Sequence, residues 1–336
     1  MDPVTHGLIG ATAAQSFAEE KKLRPAAFTG FVAATIADLD IFIHSANDPL
    51  LNIEIHRQFT HSFVFIPLGG LIATLLVWWF VRHRLTIKQI YAFSLIGYAT
   101  SGITDSLTSY GTQLFWPFWD ERFAFNLISV FDPLFSAGIL IAVFLGLIYM
   151  KKKYISFGWI WIIAYLFLCF VQQNRAESAV SGVISERNHT VEKIVIKPTL
   201  GNQLLWSARY IAGDSVYAVG IRAGIFGGIK IYEGESQQIL NWRKEYSAYE
   251  KTTLYNDIQR FSKLSKGFLI HHTTEKNIIG DARYAMLPTS MKPLWGIEAD
   301  TSQPQKHVEF LNFRDAGEEV RSEFLEMLKG NHPKPD

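Results

Sequence analysis

The first half of the chain alternates long apolar runs with short polar connections. Four of these runs carry no formal charge, and each approaches the roughly 20 residues that a helix needs to cross the apolar core of a bilayer. They are residues 63–81, 89–104, 133–150 and 154–174. This pattern predicts membrane-spanning helices rather than the buried helices of a soluble protein.

Two earlier segments have a weaker apolar pattern. Residues 25–44 are apolar but include Asp38 and Asp40, and residues 3–18 are uncharged but short and rich in alanine and glycine. Residues 3–18 have no basic residue before their apolar stretch, so this segment does not resemble a cleavable signal peptide. The pattern therefore predicts about six helices, of which four or five span the membrane fully.

Beyond residue 174 the pattern changes to short β-rich runs that are separated by Gly, Asp, Asn and Pro turn signals. The strand predictions include residues 191–197, 215–222, 267–274 and 307–313, and helices are expected near 236–263 and 317–329. The tail at 331–336 is expected to fray. The predicted fold class is a membrane α-helical bundle at residues 1–174, followed by a soluble α+β domain at residues 175–336.

The distribution of charge supports this division. Residues 1–171 hold 22 of the 63 charged side chains. The net charge is +1, and the second part has no basic cluster, which argues against nucleic acid as a partner because phosphates require many Lys and Arg side chains. The single cysteine, Cys169, excludes a disulfide framework and a cysteine-based zinc cluster.

The basic residues of the first part predict an orientation in the membrane. Nine of the eleven lie in alternate connections, at residues 21–24, 82–88 and 151–153. Lys and Arg near the ends of membrane segments are retained on the cytoplasmic side. We therefore expect a multi-pass protein of the bacterial inner membrane, with both termini and the second domain outside the cytoplasm.

Seven ionisable residues interrupt the apolar segments, where charges are costly and usually mark a site. They are His6, Asp38, Asp40, His56, His61, Asp105 and Asp132. In the orientation that Lys and Arg predict, all seven fall near the outer side of the membrane. This agreement predicts one pocket at the outer leaflet. Asp132 precedes Pro133 at a helix start, so a helix cap is the alternative role for it.

Helical spacing refines this expectation. Asp38 and Asp40 are two positions apart and point about 200° away from each other on a regular helix. Either the helix unwinds there, or one of the two carboxylates supports the other ligands or pairs with His44. A polar stripe at helical spacing on the fourth segment consists of Ser101, Thr104, Asp105 and Thr108.

Clustered carboxylates near lipid cannot all stay ionised unless a cation compensates their charge. Imidazoles and carboxylates together suit Zn²⁺, with Mn or Fe as further candidates. The candidate metal ligands are His6, Asp38, Asp40, His56, His61 and Asp105. A water activated by the metal is the expected nucleophile, with Asp40 as a candidate general base and Arg57 or Arg122 as a candidate phosphate contact.

The motifs resemble those of a known family. THGLIG near the start, ADLD at 37–40, HRQFTHS at 56–62 and TSYGTQLFWPF after Asp105 are similar to the membrane-bound metal-dependent hydrolases, also called LexA-binding inner-membrane proteins. PTLGNQLLW at 198–206 and DARYAMLP at 281–288 resemble the periplasmic extension of its longer members. Alanine stands at position 37, where the family more usually has proline, and both carboxylates of that motif are kept.

The resemblance implies a metal-dependent hydrolase. It implies ligands among His6, Asp38 or Asp40, His56, His61 and Asp105. A more remote similarity to zinc-dependent phospholipase C and single-strand nucleases implies phosphoester hydrolysis.

The aromatic segment at 114–125 favours a lipid or lipid-linked phosphoester substrate at the outer membrane boundary, since such segments lie in the interface. The same segment is equally explained by aromatic anchoring. Two other classes of function stay open, namely an ion- or proton-coupled transporter and a non-catalytic, metal-stabilised binding protein of the envelope.

Overall fold

The structure is a computed structural model that describes residues 1–314 and 317–331. The expected frayed tail therefore lies almost wholly outside the described residues. The chain divides into two compact units. The first consists of Met1–Ile43, Ile55–Val171 and Leu200–Asn202, and the second of His44–Glu54, Gln172–Thr199 and Gln203–Asp336.

The N-terminal part is helical, as predicted. Its helices are α1 (Pro3–Phe17), α2 (Leu23–Ile36), α3 (Leu50–Ile55), α4 (Ile66–Val81), α5 (Ile87–Ser106), α6 (Pro133–Tyr149) and α7 (Lys152–Glu186). The short α3 was not expected, and the other six correspond to the six predicted helices. Helix α7 is longer than its apolar run because its C-terminal part packs against a β-sheet through Ala176, Val180 and Val183.

Among the described residues, three helical stretches are long and apolar enough to cross a membrane. They are Glu20–Phe42, Phe63–Val81 and Lys152–Glu186. The first is the stretch that has the weaker pattern in the sequence. Helix α6 is apolar but has only 17 residues, and α5 has 20 residues interrupted by the polar stripe.

Helix α2 packs against α1, α4 and α5 in the first unit. Small residues make this close approach possible: a Cβ at Gly10 or at Gly97 would overlap the carbonyl oxygen of Gly30. The three backbones therefore come together around Gly30. The start of α1, the end of α2 and the end of α5 meet on the same side of this contact, which is where the ionisable residues lie.

The basic connections at residues 21–24 and 151–153 meet at the end of the first unit opposite the ionisable residues. Lys151 forms an ion pair with Glu20 at 3.0 Å, and the Arg24 Nε donates to the carbonyl oxygen of Leu147 at 3.0 Å. The basic connection at residues 82–88 lies at the same end, because its Leu85 packs in a buried cluster with Leu23 and Ile155. The separation of the basic connections from the aspartate and histidine residues of the predicted pocket, expected from the sequence, is thus present in the fold.

The second unit contains two antiparallel sheets, each with its four strands in sequence order. The first consists of β1 (Val191–Pro198), β2 (Leu205–Ala212), β3 (Ser215–Ala223) and β4 (Ile229–Gln238), and the second of β5 (Leu269–His271), β6 (Ile278–Asp281), β7 (Trp295–Glu298) and β8 (Glu309–Asn312). Besides α3 and the C-terminal part of α7, the helices of this unit are α8 (Trp242–Glu245), α9 (Thr253–Leu264) and α10 (Glu318–Lys329). The fold is therefore a membrane helical part followed by a soluble α+β domain.

One predicted helix begins in the wrong place. Residues 236–238, expected to start a helix, instead extend β4, where Ser236 pairs with Tyr217 of β3. Pairing with a neighbouring strand outweighs the local helix signal there. The four strand predictions are confirmed by β1, β3, β5 and β8.

The segment 44–54 belongs to the second unit although the chain on either side of it belongs to the first. Leu50 is fully buried in a cluster with Leu254 and Ile258 of α9. Arg260, also on α9, pairs with Asp48, Glu54 and Asp257 at 2.7 to 2.9 Å. Apolar burial and the two ion pairs of Arg260 with Asp48 and Glu54 therefore hold this segment in the second unit.

Candidate metal centre

The backbone changes its winding where the two aspartates lie. Helix α2 ends at Ile36, and residues Ala37–Phe42 continue as 3₁₀ turns. As a result both carboxylates reach the same imidazole. Asp38 Oδ1 lies 3.4 Å from His61 Nε2, and Asp40 Oδ2 lies 3.5 Å from His61 Nδ1. The regular α-helix thus ends before the two aspartates, but it gives way to tighter 3₁₀ winding rather than to the unwound segment that was one of the expected alternatives.

His6 of α1 and Asp105 of α5 face each other in the interior. His6 Nε2 lies 3.0 Å from Asp105 Oδ1 and 3.8 Å from Asp38 Oδ2. On the other side of the ring, His6 Nδ1 lies 3.0 Å from the hydroxyl of Thr104, whose proton goes to the carbonyl oxygen of Thr100. Because the Thr104 hydroxyl donates to Thr100, it can accept the proton of His6 Nδ1, which would leave the Nε2 lone pair for a metal beside the two carboxylates.

His61 is oriented in the same way. Its Nδ1 lies 2.9 Å from the Thr60 hydroxyl, which donates to Asp40 at 2.6 Å and so accepts from the ring. Its Nε2 lies 3.2 Å from Asp105 Oδ2, in addition to the Asp38 contact. Both imidazole Nε2 atoms therefore lie beside the same two carboxylates, with His6 near one oxygen of each and His61 near the other.

Several atoms of this cluster lack the partners that buried polar groups normally have. Within residues 1–314 and 317–331, no hydrogen-bond partner is present for the buried atoms Asp38 Oδ2, His61 Nε2 and Asp105 Oδ2. His6, Asp38 and Asp105 can each offer one ligand atom such that all three atoms lie within 4.8 Å of one another. Nitrogen and carboxylate donors at these separations fit a divalent metal.

Asp40 is engaged differently from Asp38. It is 2% exposed, and its oxygens accept from His56 Nδ1 at 2.6 Å, from the backbone N–H of Arg57 at 3.0 Å and from Thr60. It contacts both His56 and His61, and carboxylates in this position commonly fix the orientation of metal-binding imidazoles. The His56 side chain is 31% exposed, at the edge of the enclosed cluster.

Arg57 occupies a strained position inside the site. Its φ is +60°, an uncommon conformation for a residue with a side chain, and the N–H bond to Asp40 helps to hold it. Its Nε lies 3.0 Å from Asp105 Oδ2, and its Nη1 donates to Thr108 at 3.1 Å. The Arg57 guanidinium therefore supplies part of the charge compensation that the sequence pattern assigns to a metal alone.

The polar stripe of α5 lines the site as expected. Ser101, Thr104, Asp105 and Thr108 are all buried, and Thr104, Asp105 and Thr108 contact His6, His61 or Arg57.

Asp132 lies outside this cluster and has the alternative role of a cap. It accepts from the backbone N–H of Phe135 at 3.1 Å, at the start of α6, and from the Tyr165 hydroxyl at 2.9 Å.

The position of His61 depends on a glycine of α5. A Cβ at Gly102 would overlap the carbonyl oxygen of His61. We expect Gly102→Ala to displace His61 and to lower the affinity for divalent metal about tenfold or more, as shifts in metal-supporting groups do. Metal titration of the purified protein measures this. Gly182→Ala on α7 is the control, because no neighbour lies within 4 Å of a Cβ there. Equal affinities in the two variants would contradict the expectation.

These features define a helical membrane protein with a buried cluster of histidine and aspartate side chains at one end of its helices. The model of the YdjM inner membrane protein family matches residues 1–176, which is more than half of the chain. The chain belongs to this family. Neither the curated proteins nor the solved structures contain a match to it.

Proposed function

We propose that the protein is a membrane-embedded, metal-dependent hydrolase that acts on a phosphoester. The observation that carries this proposal is the convergence of His6, Asp38, His61 and Asp105, whose facing atoms lie 3.0 to 3.8 Å apart and include three buried atoms with no hydrogen-bond partner among the described residues. In this proposal a single divalent cation, Zn²⁺ by the nature of the donors, compensates the carboxylates and takes the unpartnered atoms as ligands.

In this proposal His6 Nε2, His61 Nε2, Asp38 and Asp105 hold the metal. When bound, the metal polarises a phosphoryl oxygen and acidifies water at the same place. Thr104 keeps His6, and Thr60, which donates to Asp40, keeps His61 in the tautomer that presents Nε2. Asp40 therefore acts as a positioning residue, and it remains the candidate general base if His56 moves away from it.

Arg57 and His56 have roles beside the metal. The Arg57 guanidinium already pairs with Asp105, and rotation toward a phosphate would exchange one anionic partner for another. His56 is the most exposed of the site histidines and can exchange protons with water, which Asp40 supports by accepting from its Nδ1. Arg122 donates to the carbonyl oxygen of His56 at 2.9 Å, so it orients this histidine rather than a substrate.

The substrate class that fits best is a lipid or lipid-linked phosphoester. The aromatic segment at 114–125 contains Phe118 and Trp119, which are 84% and 52% exposed. Exposed aromatics beside a membrane helix favour the interface between headgroups and acyl chains. With the basic connections in the cytoplasm, the site opens toward the outer leaflet, and both termini and the second domain lie outside the cytoplasm.

The test uses the full chain purified in detergent. We expect about one tightly bound divalent metal per chain by elemental analysis, and hydrolysis of phosphodiester or phosphomonoester lipids that stops on chelation and returns with Zn²⁺ or Mn²⁺. Asp38→Asn is expected to lose metal and turnover together, and His83→Ala, an exposed histidine outside the cluster, is the control. Bound metal without turnover, with unfolding on chelation, would favour a structural metal and contradict the enzyme.

A further inference from the structure

The turn between β3 and β4 exposes an apolar tip. Residues 223–229 have the sequence AGIFGGI and carry no charge. Phe226 at the tip is fully exposed, and Ile225 is 47% exposed. A large aromatic side chain held in water at the end of a hairpin is unfavourable, and such groups usually mark an interaction surface.

The tip is tied to helix α7 by three hydrogen bonds. Arg175 donates to the carbonyl oxygens of Gly224 at 2.6 Å and Gly227 at 2.9 Å. Gln172, which is buried, donates to the carbonyl oxygen of Ala223 at 2.7 Å. Because these bonds reach both sides of the turn, the position of the hairpin tip is set by one turn of α7.

That turn of α7 directly follows the apolar span in the chain. Residues 154–171 carry no charge, and Arg175 is the first charged residue after them. At the rise of an α-helix, Arg175 lies about 6 Å beyond Val171 along the helix axis. The headgroup region on each side of a bilayer is of similar thickness, roughly 5 to 7 Å. The hairpin tip is therefore bonded to the part of α7 that passes through the lipid headgroups.

The basic residues at the base of the β3–β4 hairpin also suit a position among lipid headgroups. Arg222 of β3 pairs in register with Lys230 of β4, immediately outside the apolar tip, and Arg175 is the third cation there. Arg222 and Lys230 also donate to the carbonyl oxygens of Leu328 and Gly330 at the end of α10. The sequence between Arg222 and Lys230 contains no acidic residue. Apolar side chains flanked by cations are the arrangement that anionic lipid surfaces attract.

We propose that the β3–β4 turn is a membrane-docking element. Ile225 and Phe226 insert between the headgroups and acyl chains of the leaflet from which α7 emerges, and Arg175, Arg222 and Lys230 lie beside anionic headgroups. The partner is the phospholipid bilayer itself. This role is independent of the metal centre, and it fixes the β-sheet against the membrane surface.

The test places a fluorophore at the tip of the full chain in vesicles of phosphatidylethanolamine and phosphatidylglycerol. In a Cys169→Ser background, Phe226→Cys and Asp214→Cys are labelled with an environment-sensitive dye. Asp214 is exposed in the β2–β3 turn at the other end of the same sheet, so it is the matched control. We expect a lipid-borne quencher near the headgroups to act roughly threefold more strongly at position 226, and aqueous iodide to act more strongly at position 214.

Two results would overturn the proposal. Equal iodide quenching at the two positions would mean that the tip lies in water. Protection at position 226 from both quenchers would mean that protein, such as a second copy of the chain, covers the tip. Because Cys169 is fully buried and its replacement can disturb folding, Phe226→Trp is measured in parallel with Cys169 intact. Brominated lipids are then expected to quench an added component of the tryptophan emission relative to the unsubstituted protein.

Discussion

His61→Ala is expected to reduce the metal content of the purified protein to about a tenth or less, whereas His56→Ala should weaken metal binding by roughly 10- to 100-fold without abolishing it. The reason is the position of the two rings relative to Asp40. The Nε2 of His61 faces Asp38 and Asp105, so this side chain supplies a proposed ligand atom. The contact of His56 with the cluster is through Asp40, to which it is hydrogen bonded at 2.6 Å.

The measurement is elemental analysis after dialysis against graded concentrations of a chelator. His83→Ala, in the exposed connection after α4, is the control for loss of an imidazole elsewhere in the chain. Thermal unfolding of each variant separates loss of metal from loss of fold. Metal retention by His61→Ala at the wild-type level would reject His61 as a ligand, and complete loss in His56→Ala alone would move the ligand role to His56.

Arg260→Gln is expected to lower the free energy of unfolding of the second unit by about 2 kcal/mol at neutral pH. Partly exposed ion pairs are weak singly, but three are lost together, and the buried Asp257 keeps only the partners of its Oδ2, His307 and the N–H of Val308. Amide hydrogen exchange in residues 44–54 should then rise roughly 30-fold. Arg321→Gln, an exposed arginine on α10, is the control. Unchanged exchange in that segment would contradict a holding role for Arg260.

The effect should depend on pH. Burial acts to raise the pKa of Asp48, but its hydrogen bond and charge interaction with Arg260 are stronger together and leave the pKa below its ordinary value. A carboxyl group with a lowered folded-state pKa stabilises the fold above the unfolded value of about 4, and this contribution is lost as the pH falls through the folded-state pKa. The difference in stability between wild type and Arg260→Gln should therefore narrow below about pH 4. A constant difference would point to lost packing instead.

Much of the candidate site can be predicted from the sequence, because charge is rare in apolar segments. His6, His61, Asp38 and Asp105 stand out for that reason, and the structure brings them together. These residues are far apart in the chain, but each can be recognised by itself because an ionisable side chain is unusual in an apolar segment. The polar stripe of α5 is similarly visible, because its spacing is that of a helix.

Other features depend on contacts that no local pattern reveals. The different partners of Asp38 and Asp40 follow from the 3₁₀ winding at Ala37–Phe42, and their spacing alone is compatible with several arrangements. The left-handed backbone of Arg57 has no sequence signal, since such positions more often carry glycine or asparagine. The pairing of β2, β4, β6 and β7 is likewise determined by their neighbours in the two sheets rather than by a local pattern.

Residues 44–54 have the composition of an ordinary surface loop, which usually tolerates insertions and deletions. Here a change of length would move Leu50 out of a core that residues far along the chain complete. Residues 44–54 also separate Asp40 from His56 in the chain. The chain on either side of this stretch is held in the candidate metal centre, whereas Leu50 within it is held in the core of the second unit. The C-terminal region is therefore needed to keep residues 44–54 in place. Truncation after residue 176 would expose Leu50 to solvent and release the segment that connects Asp40 to His56.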